Sequence, residues 1–143
     1  MRTALLAALA WHLLLVSGYG VGQLVHGARA IVADTPQAGD LIRLFVHSGV
    51  DGLTVWSTRL GGAVGVAGCI GLLLGRRWGL ICVLLAAIPL AWSVLVWGLL
   101  FVFWRAFDTA GSWPLLAHIA ATLLTAVGLP ILVLTTSRPN RSV

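Results

Sequence analysis

Long apolar runs with few charges dominate the chain. The stretches without Asp or Arg are 3–28, 60–75, 78–104 and 109–137. A helix needs about 20 apolar residues to cross about 30 Å of hydrocarbon. The second run is shorter, but an arginine near a helix end can extend its charged head to the interface, so Arg59 is compatible with a start near Leu53. The pattern predicts an all-α, integral membrane four-helix bundle forming one domain over 1–143, with helices at about 4–25, 53–75, 79–104 and 113–135.

The first connection, an outer loop over 27–52, is the only long one. Thr35 and Pro36 are typical of a helix start, with a capping hydroxyl followed by proline at the first position. From there, apolar and polar positions separate onto two faces at helical spacing. The pattern predicts a short amphipathic helix over 36–47 that lies on the outer membrane surface. Its apolar face would carry Leu41, Leu44 and Phe45, and its polar face Asp40, Arg43 and His47.

Composition supports a membrane environment. Only 9% of the 143 residues are charged and the mean hydropathy is +1.02, whereas a soluble domain carries about 25% charged residues. All nine cations are arginine, all four acids are aspartate, and the net charge is +5. Because the arginines flank apolar segments, this charge indicates membrane topology and a lipid partner, with no nucleic acid.

Arginine placement predicts the orientation, because cytoplasmic loops of membrane proteins are enriched in basic residues. One side would hold short ends that carry arginine without acids, and the other side would hold mixed loops with every aspartate. We therefore expect a multi-pass protein of the bacterial inner (cytoplasmic) membrane with both termini in the cytoplasm. The inner arginines would be Arg2, Arg76, Arg77, Arg138 and Arg141.

Seven glycines lie between residues 59 and 79. A phosphate-binding loop needs a strand before the glycines and usually a Lys or an acid nearby, and this stretch lies inside an apolar segment that contains neither. Small residues let membrane helices approach closely, so we expect a packing stripe on the second helix that contacts the first helix or another protein chain, including a second copy. The stripe consists of Gly61, Gly65, Gly68 and Gly75, with Gly62 off it, and Gly18 and Gly22 form a second pair of predicted packing residues on the first helix.

Polar residues on the first helix form the most specific candidate site. Tyr19, Gln23 and His26 fall within about 60° of arc at helical spacing, and lipid penalises polar groups that lack partners. His118 and Thr122 supply a matching stripe on the fourth helix. We predict a polar pocket open to the outside, formed by Tyr19, Gln23, His26, Arg59, His118 and Thr122. The alternative is a hydrogen-bonded plug that fixes helix register.

Histidines also raise the question of a metal or haem site. His12 and His118 would lie about 12 Å apart along the membrane normal, which disfavours a shared haem. His26, His47 and His118 would all lie near the outer face and form the alternative metal site. No tightly spaced metal motif occurs, so no cofactor is expected. No Ser/His/Asp or Cys/His set is visible either, which favours a protein that is not an enzyme.

The layout resembles that of small four-helix bacterial inner-membrane proteins, including the DoxX-like group. The resemblance rests on the outer loop after the first helix, the glycine-rich second helix, and LLLGRRWGLICVLL at the cytoplasmic turn. It implies a four-helix membrane fold and assigns no functional residue. Together these features favour an accessory or interaction subunit, then a small transporter or channel with the outward-open pocket, then a membrane redox or metal-binding protein.

Overall fold

A computed structural model describes residues 1–34, 50–103 and 112–136. Those residues form helices without strands. The predicted surface helix at 36–47 and its His47 lie outside the described residues. The five helices are α1 (Arg2–Ser17), α2 (Tyr19–Asp34), α3 (Val50–Leu73), α4 (Trp78–Phe103) and α5 (Ser112–Thr136).

Three helices are long and apolar enough to cross a membrane. The qualifying segments are Gly52–Leu73 in α3, Trp78–Leu99 in α4 and Leu115–Thr136 in α5. The helices that contain them begin and end within three residues of the predicted bounds. A fourth apolar segment consists of Arg2–Ser17 and Tyr19–Gly27, which meet at an angle of 65°.

The break at Gly18 corrects the predicted straight helix over 4–25. Gly18 has φ +87°, and its N–H donates to the carbonyl of Leu15. Glycine adopts this left-handed conformation without the steric cost of a Cβ, which is why it often terminates helices. The next helix begins at once, since the N–H of Gly22 donates to the Gly18 carbonyl at 2.7 Å. Gly18 is therefore a bend, and α2 extends into the predicted outer loop as far as Asp34.

The α3–α4 connection is a tight turn built on Gly75. Gly75 has φ +68°. Its N–H donates to the carbonyl of Leu72 at 3.0 Å, and the N–H of Arg76 donates to the carbonyl of Gly71 at 2.8 Å. These two bonds form a Schellman motif, which satisfies carbonyls that the end of a helix leaves free. Gly75 thus ends α3 and turns the chain back along it, as predicted for the turn at this point, and no described atom lies within 4 Å of its Cβ position for helix packing.

Buried side chains form three layers along the helices. The layer nearest the turn joins four helices through Leu5, Cys69, Val83, Leu129 and Val133. The middle layer contains Leu15, Leu90 and Ala126, with Trp11 packed against them. The layer at the opposite end contains Leu24, Trp97, Leu115 and Ile119.

The glycines of α3 face two different neighbours. A Cβ at Gly61 would lie 2.7 Å from Leu90 Cγ, and one at Gly68 would lie 2.9 Å from the backbone nitrogen of Val83, both in α4. Gly62 and Gly65 instead face α1. The predicted stripe is therefore divided between two neighbours, because α3 packs between α1 and α4, and Gly71 joins the glycines that face α4.

A cluster of hydroxyl groups joins α3 to α4 in the half of their contact that lies away from the Gly75 turn. Thr58 Oγ1 and Ser93 Oγ lie 2.7 Å apart, and both side chains are buried. Thr58 Oγ1 can donate to the Thr54 carbonyl at 2.9 Å, and Ser93 Oγ to the Pro89 carbonyl at 3.1 Å. Ser93 lies one turn after Pro89, whose ring nitrogen supplies no helical hydrogen bond. The cluster keeps buried hydroxyls paired while two apolar helices pack closely.

Candidate functional site

An indole ring and an imidazole ring meet inside the helices, next to a second buried histidine. The rings of Trp11 and His118 are in contact, with centroids 5.1 Å apart and planes tilted by 46°. His12, the neighbour of Trp11 in α1, is 1% exposed and His118 in α5 is 7% exposed. We call Trp11, His12 and His118 the His–Trp centre.

Each histidine of the centre is seated on a glycine. A Cβ at Gly65 of α3 would lie 2.6 Å from His12 Cε1, and a Cβ at Gly20 of α2 would lie 2.6 Å from His118 Cε1. Real Cβ contacts are longer than this, so only glycine leaves space for either ring. The sequence prediction missed Gly20, although a glycine opposite a buried ring is the usual way to admit it between close helices.

Three polar atoms of the centre are buried without a hydrogen-bond partner among the described residues. They are Trp11 Nε1, His12 Nδ1 and His118 Nε2. Leaving a buried donor or acceptor unpaired costs on the order of 1–3 kcal/mol. The nearby hydroxyl of Thr122 does not relieve this cost, because it donates to the His118 carbonyl at 2.8 Å. Thr122 therefore donates to the backbone of its own helix and not to Tyr19, Gln23 or His26, the residues that the predicted hydrogen-bonded plug pairs with it.

The polar stripe of α2 lies outside this centre. Tyr19 is 66% exposed, and Gln23 and His26 are also exposed. The face of α2 that meets α5 carries Gly20, which contacts His118, and Gly27, whose Cβ would lie 2.9 Å from Leu115 Cβ. At 100° per residue the centre of this face is about 80° away from the centre of the polar stripe. The structure therefore does not bring the three α2 residues of the predicted pocket together with His118.

The remaining residue of the predicted pocket, Arg59, lies beside the bend of the first segment. Its guanidinium stands over the Trp56 ring, with Cζ 5.6 Å from the ring centroid. A Cβ at Gly18 would lie 3.4 Å from Arg59 Nη2. Gly18 follows the end of α1, where the helix dipole favours a positive charge. The arginine is thus held by an aromatic face and a helix C-terminus.

An apolar groove opens on the exposed surface of the protein between α3 and α4. Its volume is about 610 Å³. Ile88 and Trp92 of α4 contribute to one wall, and the other wall carries four α3 residues spaced at i, i+4, i+7 and i+11. These four are Leu53, Ser57, Leu60 and Val64. We call this surface the α3–α4 groove.

The alternative metal site does not assemble within the part of the chain that the structure describes. His26 is exposed, whereas His118 is buried under Gly20. Within residues 1–34, 50–103 and 112–136, no group of three metal-ligating side chains could hold an ion. The geometry thus defines an apolar helical protein with a buried His–Trp centre. No protein-family profile, curated protein sequence or solved structure matches this chain.

Proposed function

We propose that this protein is an interaction subunit of a membrane complex, whose partner helix packs on the polar flank of α2. The observation that carries this proposal is the exposure of Tyr19, Gln23 and His26 on a segment apolar enough to belong to a membrane crossing. Hydrocarbon offers such groups no hydrogen bonds. Another helix can offer them, and polar side chains do bond across membrane helices.

The three exposed residues occupy one side of α2. They fall within about 60° of arc, while Val21, on the opposite flank, is 4% exposed. Gly22 lies beside them, and no described atom lies within 4 Å of its Cβ position. A glycine next to hydrogen-bonding side chains is typical of a close contact between membrane helices. This flank therefore supports a protein partner better than the α3 glycines, which already face α1 and α4 within the chain.

The depth of α2 supports the same conclusion. From Gly20 to Gly27, α2 advances about 10 Å along its own axis. Over the same length, the α5 residue that α2 contacts changes only from His118 to Leu115. These two residues are about 4.5 Å apart along the axis of α5. Because α2 crosses α5 obliquely, its polar flank stays within the outer part of the apolar zone.

The transporter alternative has weaker support. It requires an outward-open pocket that contains His118, but Gly20 covers that ring. The oblique α2 separates the exposed polar flank from the buried centre. A redox or metal function has weaker support for the same reason, since His26 and His118 face different surroundings.

The presence of a partner can be tested by measuring the mass of the protein after extraction from its own membranes in mild detergent. Native mass spectrometry is expected to show the 15.1 kDa chain in a complex with a different protein. Gln23→Leu should release the chain as a monomer, because it removes hydrogen bonds without removing apolar surface. Leu124→Ala, at an exposed position of α5, is the control and should leave the complex intact. A wild-type mass equal to the monomer or to a multiple of the chain mass would contradict the proposal.

We also propose that the protein crosses a bacterial inner membrane four times, with α1 and the start of α2 as one broken crossing. Arg76 and Arg77 in the exposed α3–α4 turn would mark the cytoplasmic side, and this support rests on the sequence. Since α1 packs antiparallel to α3, Thr3 lies at the same end of the helices as the α3–α4 turn. Gly52 lies at the opposite end. Both termini would then be cytoplasmic.

Cysteine labelling tests this orientation in a variant that lacks Cys69 and Cys82. Gly52→Cys is expected to react with a membrane-impermeant maleimide in spheroplasts, where the outer face is accessible. Thr3→Cys should react only after the membrane is permeabilised, because residue 3 would face the cytoplasm. The reverse pattern would show that the orientation is inverted.

A further inference from the structure

We propose that the exposed side of α3 and α4 binds an anionic phospholipid, with an acyl chain in the α3–α4 groove and the phosphate at Arg59. The groove is apolar apart from Ser57, so its occupant within a membrane is a hydrocarbon chain. Arg59 supplies the charge that selects among lipids. Both features belong to α3 and α4, whereas the proposed partner packs on α2.

The length of the groove matches one leaflet. Its α3 wall extends from Leu53 to Val64, a rise of about 16 Å at 1.5 Å per residue. Half of the hydrocarbon thickness is about 15 Å. Leu53 lies at the end of α3 away from the α3–α4 turn, so the groove begins near the membrane surface and ends near the centre. An acyl chain of the leaflet on that side therefore fits it along its whole length.

Arg59 lies on the flank of α3 beyond Trp56, and its guanidinium is held near the ring that separates it from the groove. Around α3, Trp56 lies about 60° from the groove wall, and Arg59 lies about 60° further. The guanidinium stands over the Trp56 ring, one turn closer to the membrane surface than its own Cα. Basic groups beside transmembrane helices bind phosphate headgroups, and tryptophan rings favour the headgroup level. A phosphate at Arg59 and a chain in the groove would thus lie on the two sides of Trp56.

Lipid binding can be measured by native mass spectrometry of the delipidated full-length protein. The probes are phosphatidylglycerol and phosphatidylcholine with the same acyl chains. We expect one saturable site with a roughly fivefold preference for phosphatidylglycerol, the size expected for one cation near an anionic surface. Inorganic phosphate should not displace the lipid, because it lacks the chain that fills the groove. Equal binding of the two lipids, or displacement by inorganic phosphate, would overturn the proposal.

Three variants separate the charge from the groove. Arg59→Gln should abolish the preference for phosphatidylglycerol, while Arg59→Lys should retain it. Ile88→Trp fills the groove at a 68% exposed position and should weaken binding of both lipids. The control Arg76→Gln removes a cation at the other end of α3 and should leave the preference unchanged. An equal loss in Arg76→Gln and Arg59→Gln would show that the preference reflects net charge and would refute the site.

Discussion

Replacing Gly79 by alanine is expected to force α3 and α4 apart at their turn and to destabilise the protein. A Cβ at Gly79 would lie 2.5 Å from the backbone nitrogen of Leu72, 2.7 Å from the carbonyl carbon of Gly71 and 2.8 Å from the carbonyl oxygen of Gly68. Backbone atoms cannot change rotamer to make room, so the two helices must move apart at the turn. We expect a loss at or above the usual cost of overpacking, about 1–3 kcal/mol. Helicity measured during unfolding with an anionic detergent reports this loss.

Gly98→Ala is the matched control for this experiment, because it lies in the same helix. No described atom lies within 4 Å of the Cβ position at Gly98. Alanine has a higher helix propensity than glycine, so this variant should be as stable as the wild type or slightly more stable. Similar destabilisation by the two substitutions would mean that the close approach at Gly79 does not hold the hairpin together.

Gly65→Ala is expected to have the second large effect, because it displaces the ring of His12. The added Cβ would lie 2.6–2.7 Å from three atoms of that ring, and His12 has no free volume to move into, being 1% exposed. We expect a loss of about 1–3 kcal/mol in the same unfolding measurement. The substitution acts on the contact between α1 and α3 and leaves the α3–α4 turn unchanged.

A double mutant distinguishes this clash from a general loss of helix packing. His12→Ala removes the ring that meets residue 65, so His12→Ala with Gly65→Ala should be more stable than the sum of the two single effects predicts. The expected coupling is on the order of 1 kcal/mol, as for residues in direct contact. Gly128→Ala in α5 is the control, since the described residues leave its Cβ position open. Strict additivity of the His12 and Gly65 effects would exclude the contact.

The α2 flank shows how far periodicity could predict the candidate site. Spacing alone placed Tyr19, Gln23 and His26 on one side of a helix, and the structure does expose all three on one side of α2. Spacing could not tell which neighbour that side faces. The prediction placed the polar side of the helix against His118. In the structure the residue that contacts His118 is Gly20, which follows Tyr19 in the chain. Periodicity gives the relative directions of side chains, but the rotation of the helix depends on packing.

By itself, the sequence determined the helical architecture and the positions of three apolar helices, because apolar runs of sufficient length are a local property of the chain. The bend at Gly18, the division of the α3 glycines between α1 and α4, and the meeting of Trp11 with His118 were decided by the tertiary structure. Each depends on a backbone angle or on the atoms of a distant helix. A glycine has the same local signature whether it bends a helix, ends one or seats an imidazole ring, and only its neighbours in space distinguish these roles.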